Sequence, residues 1–183
     1  FELETRVNAM EVDIDRELSS IIARRQPTAR DLRLLIAISK TTANLERAGD
    51  EAEKIARMVK SIISSGAARA LPASELRVAA DLASGLLRKA LDAFARLDVN
   101  MAVSILKEDD AIDREFDGFV RKLITYMMED PRTISASLDL LFLAKAIERI
   151  GDHAKNIAEF IIYIVKGTDV RHTSMDKIES AVL

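Results

Sequence analysis

The apolar residues Leu3, Val7, Met10, Ile14, Leu18 and Ile21 recur at steps of three and four. That spacing sets them on one face of a helix and predicts an α-helix over about residues 2 to 24. The stretch RRQPTARD ends it, because Pro27 cannot continue a helix, while Thr28 or Asp31 can cap the next one. Leu35, Ile38, Leu45, Ala52, Ile55, Val59 and Ile62 share one side of a second helix that reaches about Ser65. At 1.5 Å per residue it would span roughly 50 Å. SSGAARALPAS, with Gly66, Pro72 and the cap candidate Ser74, reads as a linker. Three more amphipathic helices follow, from Glu75 to about Leu97, from about Asn100 to Met128, and from about Arg132 to Lys166, the last ending at Gly167. FIIYIVKG is apolar on several sides and reads as buried in a bundle rather than set in a membrane. The tail TDVRHTSMDKIESAVL starts polar and could close with a short helical turn. The expected class is all-α, a helical bundle.

The sequence repeats itself. LERAGDEAEKIA at 45 to 56 returns as IERIGDHAKNIA at 147 to 158, with seven of twelve positions identical, and IDRE occurs at 14 to 17 and again at 112 to 115. The order is kept in both copies: acidic IDRE helix, proline turn at Pro27 or Pro131, then the ER-GD helix. Aligning the copies pairs Phe1 with Val99 and leaves residues 75 to 97 without a counterpart. The expected architecture is therefore two tandem three-helix bundles, with the first helix of the first bundle absent from this chain. The division is 1–65 for the first bundle, 66–74 for the linker, 75–167 for the second bundle and 168–183 for the tail. A start at Phe1 rather than Met agrees with a natural N-terminus further upstream.

Both ER-GD copies place a glycine inside a helix, at a cost of roughly 0.5 to 1 kcal/mol relative to alanine. The glycines lie between acids spaced i,i+4, a spacing that puts each acidic pair one turn apart on one face. In the first copy the pairs are Glu11 with Asp15 and Glu46 with Asp50; in the second they are Asp109 with Asp113 and Glu148 with Asp152. A chain reversal near 130.5 would bring the second four acids level, and one near 30.5 the first four. Two carboxylates about 5 Å apart repel by on the order of 3 kcal/mol at an effective dielectric of 20. Such a set needs protons, basic neighbours or a cation, and an all-oxygen set suits Mg, Mn, Ca or Fe. Gly49 and Gly151 would then let a metal or a facing helix approach. The competing reading is an ordinary solvated face, with Asp50 to Lys54 and Glu53 to Arg57 as i,i+4 ion pairs. His153 sits about 100° round the helix from Asp152.

Composition narrows the function. The chain is 49% hydrophobic and 31% charged, enough for a real core, and its 27 basic residues nearly balance 30 acidic ones, so nucleic acid is not an expected partner. There is no cysteine, which removes disulfides, thiolate metal sites and cysteine nucleophiles. No run of about 18 apolar residues and no signal peptide is visible, so the chain itself is expected to be soluble. No phosphate-cradling glycine loop and no nucleophile–base pattern stands out.

Taken together, RRQPTARDLR after the first acidic helix, the paired LERAGDEAEKIA and IERIGDHAKNIAE, and GTDVRH after the last helix closely resemble the PhoU family of bacterial phosphate-transport accessory proteins, over nearly the whole chain. The resemblance implies two similar three-helix bundles. It also implies metal-binding E(D)xxxD motifs, which fall here on Glu11 and Asp15, Glu46 and Asp50, Asp109 and Asp113, and Glu148 and Asp152, with Fe, Mn, Mg or Zn as the ion. It further implies a cytoplasmic, non-enzymatic negative regulator of the phosphate-starvation (Pho) regulon. The implied partners are the phosphate ABC transporter and the phosphate-sensing histidine kinase, with membrane association through them. Long helices and an incomplete bundle admit a homodimer. Two alternatives stand beside it: a PhoU-like regulatory domain of another transporter, and a carboxylate-bridged di-metal oxidase. The latter uses Glu-x-x-His on two helices, whereas neither of the two histidines here lies three residues after a glutamate.

Overall fold

In the computed structural model, residues 2–64 and 72–182 are described, and within them the chain is helical with no strand. Most of the expected linker, 66–71, lies outside the described residues. Helix α1 spans Glu2–Arg25, α2 Ala29–Ser64, α3 Leu76–Arg96, α4 Val99–Glu129, α5 Ile134–Lys166 and α6 Met175–Val182. Single 3-10 turns, Ala73–Glu75 and Pro131–Thr133, precede α3 and α5.

Each reversal has a local cause. Leu97 adopts a left-handed conformation (φ 52°) and its N–H closes α3 on Ala93 and Phe94 carbonyls; Asp98 then caps α4 by accepting from the Met101 N–H at 2.9 Å. Asp130 ends α4 and accepts from the Arg132 backbone N–H and guanidinium, both at 3.0 Å, with Pro131 opening the next turn. The first turn has Gln26 and Ala29 both at positive φ (46° and 47°), so α1 and α2 reverse across residues 26–28. Gly167 (φ +74°) closes α5 by donating to the Tyr163 carbonyl, with the Arg33 guanidinium packed over it.

Helix α5 lies at the centre, packed on α2, α3 and α4. Its stretch Ile157, Ala158, Ile161, Ile162 and Ile164 is fully buried, as expected of FIIYIVKG. Helix α3 covers α4 and α5 with a stripe of Ala79, Ala83, Leu86, Ala90 and Ala93, whose small side chains let the helices approach closely. In this second half α3, α4 and α5 pack on one another, and burying Leu86 there stabilises by about 1.5 to 3 kcal/mol. The first half has two helices. Along α1 only Leu18 is buried, while Leu3 (71% exposed), Met10 and Val12 face outward. The two halves meet where α2 runs antiparallel to α5: Arg33 lies on Gly167, Asn44 bonds His153, and Glu51 pairs with Arg149. The tail folds back as α6, with Val170 and Ile178 buried and Lys107 of α4 2.5 Å from Glu179. Among the described residues no helix is long and apolar enough to cross a membrane.

Candidate functional site

The α4–α5 hairpin turns at Asp130–Thr133, where sequence reasoning put it, and so sets Asp109 and Asp113 opposite Glu148 and Asp152. Their mutual effects show how near they lie. Burial first, and then the charges of Glu148, Asp109 and Asp113, push the Asp152 carboxyl up from 3.8 to about 6. Burial, Asp109 and Glu148 likewise raise Asp113. Asp109 is 2% exposed and accepts from Lys155 Nζ at 2.9 Å. Lys145 Nζ lies 2.5 Å from Glu148 Oε2, but the contact lacks hydrogen-bond geometry and leaves that buried oxygen without a hydrogen bond. Glu148 also borders a cavity of about 210 Å³, walled by Ile112, Phe116 and Phe119 and edged by Glu75 and Glu115.

The glycine in this copy serves the helix contact. A methyl group built on Gly151 would stand 2.9 Å from Ile112 Cδ1 and 3.5 Å from Asp109 Oδ1, so α4 side chains already fill the space it would take. In the other copy a methyl on Gly49 would meet only Val7 Cγ1, at 3.9 Å, an ordinary contact.

The first set of acids is looser. Burial, then Asp50 and Glu11, raise the Glu46 carboxyl, so these three share a face. Asp15 does not join them; it is exposed and accepts from Ser39 Oγ at 3.0 Å. The reversal at 26–28 rather than near 30.5 slides α1 along α2 and carries Asp15 away from Glu46. The expected Glu53 to Arg57 pair forms at 2.6 Å, but Lys54 turns to the buried Glu51 at 2.8 Å instead of Asp50.

His153 points into the α2–α5 seam, where it borders a groove shared with Asp50 and Asp152. Asn44 donates its amide to the Lys40 carbonyl, which leaves Oδ1 to accept from Asn156 Nδ2 and His153 Nδ1, each at 3.0 Å. Nδ1 of the imidazole therefore carries a proton. Burial, helped by Arg47, lowers the His153 pKa below its ordinary value. Sequence reasoning missed Asn44 and the two lysines at the acids. Lys145 and Lys155 stand i−3 and i+3 from Glu148 and Asp152, a visible spacing, but the bond from Lys155 crosses to Asp109 on the other helix.

As placed, no three acidic or histidine side chains among the described residues converge to hold one ion. The second set nonetheless fits a hard cation in other respects: hard oxygen donors, one buried oxygen without a hydrogen bond, and carboxyls raised by burial and then by mutual repulsion. The first set, more exposed and without Asp15, fits less well.

A family model for the PhoU domain matches residues 1–59 and again 76–161, one copy for each half of the chain. A Burkholderia protein named phosphate-specific transport system accessory protein PhoU homolog is 53% identical over 98% of this chain and 77% of its own length. The Escherichia coli K12 phosphate-specific transport system accessory protein PhoU is 49% identical over 96% of this chain and 72% of its own. The crystal structure of PhoU from Pseudomonas aeruginosa superposes with a TM-score of 0.88 at 47% identity, covering 91% of this chain and 79% of that one. Two matched domain copies, relatives near half identity across almost the whole chain, and a shared three-dimensional arrangement lead to one conclusion: the chain belongs to the PhoU family.

Proposed function

We propose that this chain is a non-enzymatic adaptor in phosphate uptake regulation. It carries the state of the phosphate-specific ABC transporter to the phosphate-sensing histidine kinase and represses the phosphate-starvation regulon when phosphate is plentiful. It does so in the cytoplasm, reaching the membrane through its partners. The observation that supports this best is the family match to both halves of the chain, joined to relatives named as accessory proteins of phosphate-specific transport. The helical surface agrees with work by protein contact.

The cation belongs to the same proposal. Asp109, Asp113, Glu148 and Asp152 would hold it, with Glu46, Glu11 and Asp50 as a weaker first-half set from which Asp15 stands apart. A bound divalent ion, Fe, Mn, Mg or Zn, supplies the positive charge that offsets the carboxylates' repulsion. The chain's own part is to hold those carboxylates, from buried Asp109 to exposed Asp113, on two packed helices, with Lys145 and Lys155 beside them as counter-charges.

The test is repression in a bacterium deleted for its own relative and carrying a phosphate-starvation reporter. Expression of this chain should silence the reporter in phosphate-rich medium and leave it on under starvation. A reporter that stays on in rich medium, with the chain soluble and abundant, would overturn the regulatory reading. Elemental mass spectrometry of the purified protein beside a Glu148→Gln/Asp152→Asn variant tests the cation separately. Stoichiometric metal lost in the variant is the expected result, and equal content in both counts against these ligands.

A further inference from the structure

We propose that the seam between α2 and α5 is a docking groove for an acidic peptide segment of a partner protein, seated on Phe142. This rests on the adaptor reading and names the chemistry that one partner must present. The groove measures about 400 Å³ and is walled by Glu51, Lys54, Arg57 and Met58 from α2 and by Phe142 and Arg149 from α5. Phe142 is 62% exposed within it, beside the thioether of Met58.

The charges of this seam are layered rather than merely balanced. Glu51 is buried (side chain 8% exposed) beneath Arg149 (51%), which reaches it at 3.3 Å, and Glu53 (20%) lies beneath Arg57 (66%). Lys54 (50%) stands above Glu51 in the same way, whereas the head of Lys145 turns to Glu148 and the Phe116 ring of α4. The acids are spent holding these bases in place, and the surface a partner meets is three cationic heads, of Lys54, Arg57 and Arg149, around an aromatic ring. The acids offset much of this charge, but they lie behind the heads, so the charge nearest the visitor is positive.

A complementary occupant carries carboxylates along its flanks and an apolar side chain between them. Covering Phe142 removes apolar surface from water, and the cations fix the register and speed the encounter. A helix with glutamates at i and i+4 about a phenylalanine meets both demands. A lipid surface suits the groove less, since Phe142 sits between walls that a flat bilayer would rest upon.

The test is fluorescence polarisation of the full chain with a short labelled peptide of that pattern, against the same peptide with lysine for each glutamate. The acidic peptide should bind, weaken with added salt, and lose roughly tenfold in affinity in Phe142→Ala and in Arg57→Glu. Arg88→Glu on α3, outside the groove, should leave the affinity unchanged. Equal binding of both peptides, no binding of the acidic one, or unchanged affinity in the two groove variants would overturn the proposal. So would vesicles containing phosphatidylglycerol that bind through Phe142 while the acidic peptide does not. Reporter repression that persists alongside any of these results discards the groove and leaves the regulatory reading standing.

Discussion

Gly49 and Gly151 hold equivalent places in the two ER-GD segments, yet alanine should act differently at each. In a helix interior, replacing glycine with alanine stabilises by about 0.5 to 1 kcal/mol through backbone entropy. At Gly49 the new methyl meets only Val7 Cγ1, at 3.9 Å, so the full gain should appear. For a chain of this size it corresponds to a rise in Tm of about 1 to 4 °C. At Gly151 the methyl would lie 2.9 Å from Ile112 Cδ1, and Ile112 is itself buried at 2% exposure. Relief requires Ile112 to leave its rotamer or α4 to shift, which costs about 1 to 3 kcal/mol and cancels or exceeds the gain. The two variants should therefore differ by about 1 to 3 kcal/mol, read from urea midpoints at unchanged slope by circular dichroism. Equal stabilisation of both would show that the Ile112 tip gives way freely and refute the tight fit of α4 side chains on Gly151.

Asp152→Asn should stabilise the metal-free protein by about 1 kcal/mol near neutral pH, a figure discounted for partial exposure. Its carboxyl titrates near 6 against an ordinary 3.8, so its stabilising share is complete below the lower value and lost as pH rises through the upper; the gain from Asn should vanish in acid. Lys155→Met leaves the buried Asp109 without its ammonium and should cost about 1 to 3 kcal/mol, part of which added divalent cation should restore if the site takes one. Gly167→Val places a β-branched residue at φ +74° under the Arg33 guanidinium and should lower Tm by several degrees.

The helices were legible because their apolar residues recur at steps of three and four between proline turns, even in α1, whose stripe is only partly covered. The register of the α4–α5 hairpin was legible because Pro131 marks the reversal, and the acids at 109, 113, 148 and 152 came together as their spacing implied. The first hairpin was not, because its register hangs on positive φ at Gln26 and Ala29, neither a residue type that announces a left-handed turn. That slide sends Asp15 to Ser39. Asn44 was invisible for another reason: a lone asparagine in a helix becomes a seam residue only when α5 arrives to supply His153 and Asn156. The layering of acids beneath bases at Phe142 is likewise a product of packing that no i,i+4 count reveals.

The most direct test of the account is binding of the full chain, by surface plasmon resonance, to the ATPase subunit of the phosphate transporter and to the cytoplasmic portion of the sensor kinase from the cognate bacterium. The account predicts that the chain binds each of them, with transporter and chain together retaining the kinase. A well-folded chain that binds neither would contradict the adaptor role.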